Sequence, residues 1–252
     1  MVNIKYNDAQ MLNDDHAKAG FTNLFKENGI IVLTNVISDK EIDKLKASAQ
    51  EFAYSRSDGL DTFAPCLHME RQSENYFNLV RNKKIIKTSE ILTAGLVDVV
   101  QDIFYFKPPG YAGLNRHQDN YYLQANPTDS YITAWVAIDD SDQKNGGLVG
   151  YSKSHLHGLL DIIETPDAAR GKQLIDHFNE RKFECKVPQG CQRFAIDMKA
   201  GSVAFIHSLF IHESGANNSK TRFRRAIAID YIKQGASFRA GKTSKRIRTS
   251  VY

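Results

Sequence analysis

Cysteine is scarce in this chain of 252 residues: Cys66, Cys185 and Cys191 are the full set. An odd, widely spaced trio excludes a disulfide framework and lacks zinc-type spacing, so a reducing compartment is expected. Long hydrophobic runs are missing as well. No apolar stretch approaches the roughly 20 residues of a membrane helix. The first fifteen residues carry acids and amides where a secretory signal would start basic and continue apolar. The expectation is a cytoplasmic protein with no membrane partner. Charge of one sign is not in excess either: the formal net charge is +4, much of it from the last dozen residues. Nucleic-acid binding usually wants a basic stripe with interleaved aromatics, which this chain lacks. There is no internal repeat and no low-complexity segment. The length suits one sizeable core, read as a single domain over residues 1–252, monomeric or homodimeric.

The pattern along the chain divides at about residue 98. Residues 1–98 read as helices with one strand. Asp8 to Asn28 has helix-forming composition and stops at Gly29; residues 29–36 are a short apolar, β-branched strand. Ser38 and Glu41 form a capping box, with Ile42, Leu45, Ala49 and Phe52 at helical spacing behind it. Asn82 to Val97 reads as another helix. From residue 99 the pattern changes to short strands, at 99–106, 131–138, 201–206 and 225–231, separated by turns such as Asn145-Gly146-Gly147. The fold class is therefore mainly β with flanking helices, a jelly roll over 99–252. A segment at about 156–193, with a helical patch from Ala168 to Phe183, interrupts it as an insertion.

The chemistry gathers around His117-Gln118-Asp119. A histidine and a carboxylate two residues apart on an extended strand share a face and can reach one metal ion. Two ligands do not make a site, and His212, in Phe210-Ile-His-Glu-Ser-Gly215, is the best third. Two histidines and a carboxylate on one face of an ion, with the opposite positions open, is the arrangement of non-haem iron oxygenases. Arg224 follows His212 by twelve residues. On a strand antiparallel to that of His212, its planar fork suits a carboxylate, with Ser214 as a hydroxyl donor to the same group. Arg225 is the rival, because a one-residue slip moves a strand side chain to the other face. A metal beside a carboxylate clamp points to a chelating keto-acid co-substrate.

Several landmarks stand in order around these residues: Phe106-Lys-Pro-Pro-Gly110 before His117-Gln-Asp119, Thr133-Ala-Trp-Val-Ala-Ile-Asp-Asp140, Asn145-Gly-Gly-Leu148 and Gly150-Tyr-Ser-Lys-Ser-His155. His212-Glu-Ser-Gly-Ala-Asn217 and an Arg-Arg-Ala-Ile run complete the series. Together they resemble the phytanoyl-CoA dioxygenase family of Fe(II)- and 2-oxoglutarate-dependent oxygenases, most densely over 104–231. The Gly-Tyr-Ser-Lys-Ser-His segment departs from the family's Pro-Gly-Ser-His. The resemblance implies a double-stranded β-helix (a cupin-like jelly roll), with His117, Asp119 and His212 as ligands of Fe(II). It also implies Arg224 and Ser214 on the distal carboxylate of 2-oxoglutarate, Trp135 packed against that co-substrate, and O2 as oxidant. Relatives that halogenate carry Gly or Ala where this chain has Asp119, so hydroxylation or a related oxidation is implied. The substrate is expected to be a small molecule such as an amino acid or a natural-product intermediate. It would enter past Asn115, Asn120, Tyr121, Gln124 and the insertion.

The other histidines have blander readings. His155 and His157 flank a strand end and suit structural or supporting roles. His16, His68, His177 and His207 have no partner spacing. The run Gly241-Lys-Thr-Ser-Lys-Arg-Ile-Arg248 reads first as a solvated, frayed tail, and otherwise as a basic lid over an anionic substrate.

Overall fold

A computed structural model describes residues 15–55, 64–164 and 183–252. Its longer helices all lie before residue 94. Helix α1 (Asp15–Asn28) leads through Gly29, at φ 73°, into strand β1 (Ile30–Leu33). Helix α2 (Asp39–Ser55) opens on the capping box: Glu41 N–H faces Ser38 Oγ at 3.4 Å, and the Glu41 carboxylate accepts from Ser38 N–H at 3.0 Å. Helix α3 (Glu74–Val80) follows the two-residue strand β2 (Cys66–Leu67). Helix α4 (Lys83–Thr93) is capped by Asn82, whose side chain accepts from the N–H groups of Lys84 and Ile85. It ends four residues before the expected Val97. Ala94 turns left-handed and Gly95 N–H returns to the Glu90 carbonyl, which frees Val97 to begin a strand.

The larger sheet is antiparallel and ordered β1, β10 (Val203–His207), β5 (Tyr131–Ala137), β12 (Arg224–Lys233), β3 (Val97–Lys107), β13 (Thr249–Ser250), with β2 also paired to β3. A second sheet runs β4 (Leu114–His117), β11 (His212–Ser214), β6 (Leu148–Tyr151), β9 (Arg193–Ile196). Strands β7 (Ile162–Glu164) and β8 (Phe183–Cys185) form a separate pair within the inserted segment. The helix expected over 168–183 lies outside the described residues, apart from Phe183, which starts β8. Residues 8–14 of the first expected helix lie outside them too.

Two cores explain the long apolar strands. Ile132, Ala134 and Val136 of β5, Ile227 and Ile229 of β12, and Phe104 and Phe106 of β3 face the helices, meeting Ile42, Leu45, Tyr76 and Ile85. The alternate residues, Trp135, Ala137, Ala226 and Ala228, face the second sheet and meet Leu148, Ile196 and Phe210. A sheet covered on both faces buries every position, so its strands read as nearly continuous apolar runs. Polar residues within those runs, among them Gln101, Lys107, Thr133, Arg224 and Asp230, are therefore the informative exceptions, and these five are at most 7% exposed. Among the described residues no helix is long and apolar enough to cross a membrane.

Candidate metal centre

His117 and His212 meet where the second sheet narrows. They are direct partners across β4 and β11, with ring centroids 4.3 Å apart. Asp119 joins them by a different route from the one its spacing suggests. It does not continue β4 but begins the short helix α5 (Asp119–Leu123), after an extended Gln118. The turn folds the carboxylate back over the strand end. Its Oδ1 lies 3.4 Å from His117 Nε2 and 3.7 Å from His212 Nε2, and one ligand atom from each of the three lies within 4.8 Å of the others.

Hydrogen bonds fix which atoms face the centre. His117 Nδ1 lies 2.7 Å from the Asn115 carbonyl and His212 Nδ1 lies 3.1 Å from the Phe210 carbonyl. A carbonyl only accepts, so each Nδ1 carries a proton, and each Nε2 is the ring atom that points at Asp119 and the cavity. The Thr133 hydroxyl donates to Asp119 Oδ2 at 2.7 Å, leaving Oδ1 for the centre. Burial disfavours charge on Asp119, but His212, His117 and the Thr133 bond outweigh it and hold the carboxyl well below its usual range. Thr133→Val is expected to cost about 10–100-fold in metal affinity, the usual effect of losing a ligand's orienting partner. Equilibrium titration with Fe(II) or a Ni(II) surrogate measures it.

Between the ligands, Gln118 is fully buried and points the other way. Its amide donates to the carbonyls of Gly158 and Leu209 and accepts from Leu160 N–H. It ties the loop before β11 to the inserted segment, a role that its position between two ligands did not disclose.

The floor of the cavity is the inner face of the larger sheet. Arg224 stands at one end of it, on β12, which pairs with β3 and β5. Arg224 and His212 thus belong to different sheets and not to neighbouring strands. Arg224 is 2% exposed and its Nε donates to the Gly146 carbonyl, while the NH1 nitrogen is buried without a hydrogen-bond partner among the described residues. Its guanidinium lies 5.5 Å from the Trp135 ring centroid and 5.9 Å from that of Tyr105. Burial pushes its pKa down to about 10, so it stays charged at neutral pH. Arg225 points to the opposite face, where Asp139 holds it through two hydrogen bonds of 2.8 and 2.7 Å.

A second basic group stands beside Arg224 that sequence reasoning passed over. Lys107 donates to Ser214 Oγ (3.0 Å) and to the Gly215 carbonyl (2.7 Å); burial, and then the charge of Arg224, push its pKa well below the usual lysine value. Ser214 Oγ also accepts from Leu114 N–H, which leaves its own proton to donate. A buried guanidinium, a buried lysine amine and a hydroxyl, with no carboxylate in ion-pair contact among the described residues, make an end of the cavity that calls for an anion. Gly146 permits the approach. Its φ is 80°, and a Cβ there would stand 2.6 Å from the Gly215 carbonyl oxygen and 2.9 Å from Lys107 Cδ.

The phytanoyl-CoA dioxygenase (PhyH) family model matches residues 25–226. The chain belongs to the phytanoyl-CoA dioxygenase family. Peroxisomal phytanoyl-CoA dioxygenase of Mus musculus is 24% identical over 229 residues, covering 82% of this chain and 66% of that protein. The chain thus spans just under two thirds of that relative's length. Phytanoyl-CoA dioxygenase of Arabidopsis thaliana is 34% identical over 128 residues, covering 49% and 41%. Among solved structures, the epimerase SnoN in complex with Fe3+, alpha-ketoglutarate and nogalamycin RO shares the fold, with a TM-score of 0.71 at 19% identity over 90% of this chain and 87% of that one. The fold is the cupin-like double-stranded β-helix. The donor set of this PhyH chain fits Fe(II), and the orphaned Arg224 nitrogen fits a carboxylate such as the distal one of 2-oxoglutarate.

The rest of the cavity differs from the sequence reading. Asn120 is 3% exposed and spends its amide on the backbone of Ala125, and Tyr121 packs edge-on against Tyr122. Asn115, Asn120, Tyr121 and Gln124 are absent from the lining, which instead includes Gln101, Tyr122, Asp230 and residues of 239–246. The C-terminal run is held at several points: His68 Nε2 reaches the Ser244 carbonyl at 2.9 Å, Arg248 bonds Asp98 at 3.0 Å, and β13 pairs with β3. His155 donates to the Lys26 carbonyl and packs against His207 and Phe210, in a structural role, and His157 is exposed.

Asp230, opposite Thr133 on β5 and Gln101 on β3, accepts from the Tyr131 hydroxyl at 2.9 Å through Oδ1. Burial, and next the charge of Asp119, raise its pKa from 3.8 to about 7. A carboxyl raised by folding favours the folded state most below its unfolded pKa, and the advantage is lost as pH rises towards the folded value. Asp230 should therefore lower the stability of the metal-free protein by about 3 kcal/mol between about pH 5 and pH 8. Asp230→Asn is expected to flatten that part of the profile, read by denaturant melts at the two pH values.

Proposed function

We propose that the protein is an Fe(II)- and 2-oxoglutarate-dependent dioxygenase that oxidises an unactivated C–H bond of a small molecule. One observation carries this reading: the His117–Asp119–His212 cluster and the unpaired guanidinium nitrogen of Arg224 line the same cavity. When bound, iron with 2-oxoglutarate and O2 supplies the oxidising power; one oxygen atom enters the substrate as hydroxyl and the other enters succinate, with loss of CO2.

The chain's own side chains hold and orient. His117, Asp119 and His212 present Nε2, Oδ1 and Nε2 to one ion. Arg224 and Ser214 receive the distal carboxylate of 2-oxoglutarate, the Lys107 amine holds Ser214 from behind, and Trp135 forms the wall beside it. Leu148 and Trp135 also line this part of the cavity with apolar surface, which limits water near the centre. The reading is tested by succinate release that requires Fe(II), 2-oxoglutarate, O2 and a small-molecule pool together, and that an oxalyl mimic of 2-oxoglutarate inhibits. Release that persists in the presence of a chelator, or none with any pool, would overturn it.

A further inference from the structure

The inner face of the larger sheet carries two polar ends, and the co-substrate uses only one. Arg224 and Asp230 are six residues apart on β12, about 20 Å of strand. Apolar residues separate them: Ala228 on the same strand, Ile103 on β3 and Trp135 on β5 all line the cavity between the two ends.

At the far end, Asp230 and Gln101 are register partners and so share a face. Gln101 is 1% exposed, lines the cavity, and has its Oε1 buried without a hydrogen-bond partner. Asp230 receives its bond on Oδ1 and makes none through Oδ2 among the described residues. Two oxygen acceptors, one of them a carboxylate, are thus buried with unfilled capacity, which normally costs free energy unless a donor arrives.

Above them passes the C-terminal segment. Arg246 lines the cavity, and its Nε is buried without a partner. Its NH1 makes only long contacts with the carbonyls of Tyr122 (3.4 Å) and Arg239 (3.3 Å). Arg246 stands near enough to Asp230 to favour its ionised form, yet no ion pair joins the two among the contacts of the described residues. Lys242 lines the same wall. The cavity therefore holds a carboxylate and a guanidinium that face it without meeting each other. A neutral or singly charged ligand would leave the buried Asp230 or the half-buried Arg246, whose Nε is buried, unmatched; an ammonium and a carboxylate on one small molecule satisfy both.

We propose that the substrate is an α-amino acid bound as its zwitterion, with the ammonium on Asp230 and Gln101 and the carboxylate on Arg246 and Lys242. The inference rests on the dioxygenase reading above and names the substrate class of that site. The subsite's position fits the role. Thr133 Oγ1 lies 2.7 Å from Asp119 Oδ2 and 3.2 Å from Asp230 Oδ1, so a molecule anchored on Asp230 lies alongside the metal centre and leaves the Arg224 end to the co-substrate.

The test uses the Fe(II)- and 2-oxoglutarate-loaded protein with the proteinogenic L-amino acids, each beside its decarboxylated amine and its α-hydroxy acid. At least one amino acid is expected to raise succinate release tenfold or more, and its two singly charged counterparts are expected not to. For that amino acid, Asp230→Asn and Arg246→Gln should each raise KM at least tenfold with a smaller change in kcat. No stimulation by any amino acid, or equal stimulation by the amine or hydroxy acid, would overturn the proposal. So would an unchanged KM in both variants. Failure of the loaded protein to show its iron–co-substrate absorption band would instead overturn the dioxygenase reading beneath it.

Discussion

His212→Ala is expected to remove iron binding and iron-dependent turnover together while leaving the fold in place. His212 is one of three donors, and its position depends on β11, a strand of three residues pinned on both sides by β4 and β6. The backbone pairing needs no imidazole, so the strand survives the substitution. The centre does not. His117 and Asp119 alone are two donors from one short stretch of chain, and Asp119 also loses the neighbour that does most to offset the cost of burying its charge. Losing a residue that merely supports a metal ligand costs about 10–100-fold; losing a ligand should exceed that in both metal affinity and turnover. Metal analysis of the purified variant, with far-ultraviolet circular dichroism as the fold control, gives the answer. An iron content equal to that of the parent would contradict the assignment.

Arg224→Met is expected to weaken co-substrate binding and strengthen the fold. Hydrogen bonds from a charged group contribute about 1.5–3 kcal/mol each, so loss of a two-bond clamp should raise KM for 2-oxoglutarate by about 100-fold or more. The same change should stabilise the protein without co-substrate by about 1–3 kcal/mol, because it removes a buried cation with an unsatisfied nitrogen next to the buried Lys107. Stability lost for function is common where a site is built ahead of its ligand. Arg225→Met is the contrasting case. It breaks the paired hydrogen bonds to Asp139 and should lower stability, with little change in KM for 2-oxoglutarate. If Arg225→Met raised that KM and Arg224→Met did not, the two roles would be reversed.

What could be read from the sequence was local. The capping box at Ser38 and Glu41, the Gly29 stop and the apolar strands each depend on residues within one turn or one strand. The metal cluster was legible because three donors lie in short, distinctive segments, although Asp119 reaches the centre from a helix turn and not from the strand. The remainder depends on long-range register, which leaves no local trace. Gln101 and Asp230 look like ordinary polar interruptions until β3 and β12 are aligned and the two fall opposite each other. Lys107 stood within a motif, but its task follows from Ser214 and Gly215, more than a hundred residues away. The C-terminal run reads as a frayed tail by composition. What holds it over the cavity are single bonds to His68 and Asp98 that no periodicity encodes. Strands β6, β9 and β11 have only three or four residues, too short for alternation to be distinguished from loop.

The central claim is that one cavity holds both an iron ion and 2-oxoglutarate. Anaerobic titration of the Fe(II)-loaded protein with 2-oxoglutarate tests it most directly. The expected result is a weak visible charge-transfer band that saturates at one equivalent, is absent in His212→Ala, and needs far more 2-oxoglutarate in Arg224→Met. A protein that binds iron yet shows no band at any concentration of 2-oxoglutarate would contradict it.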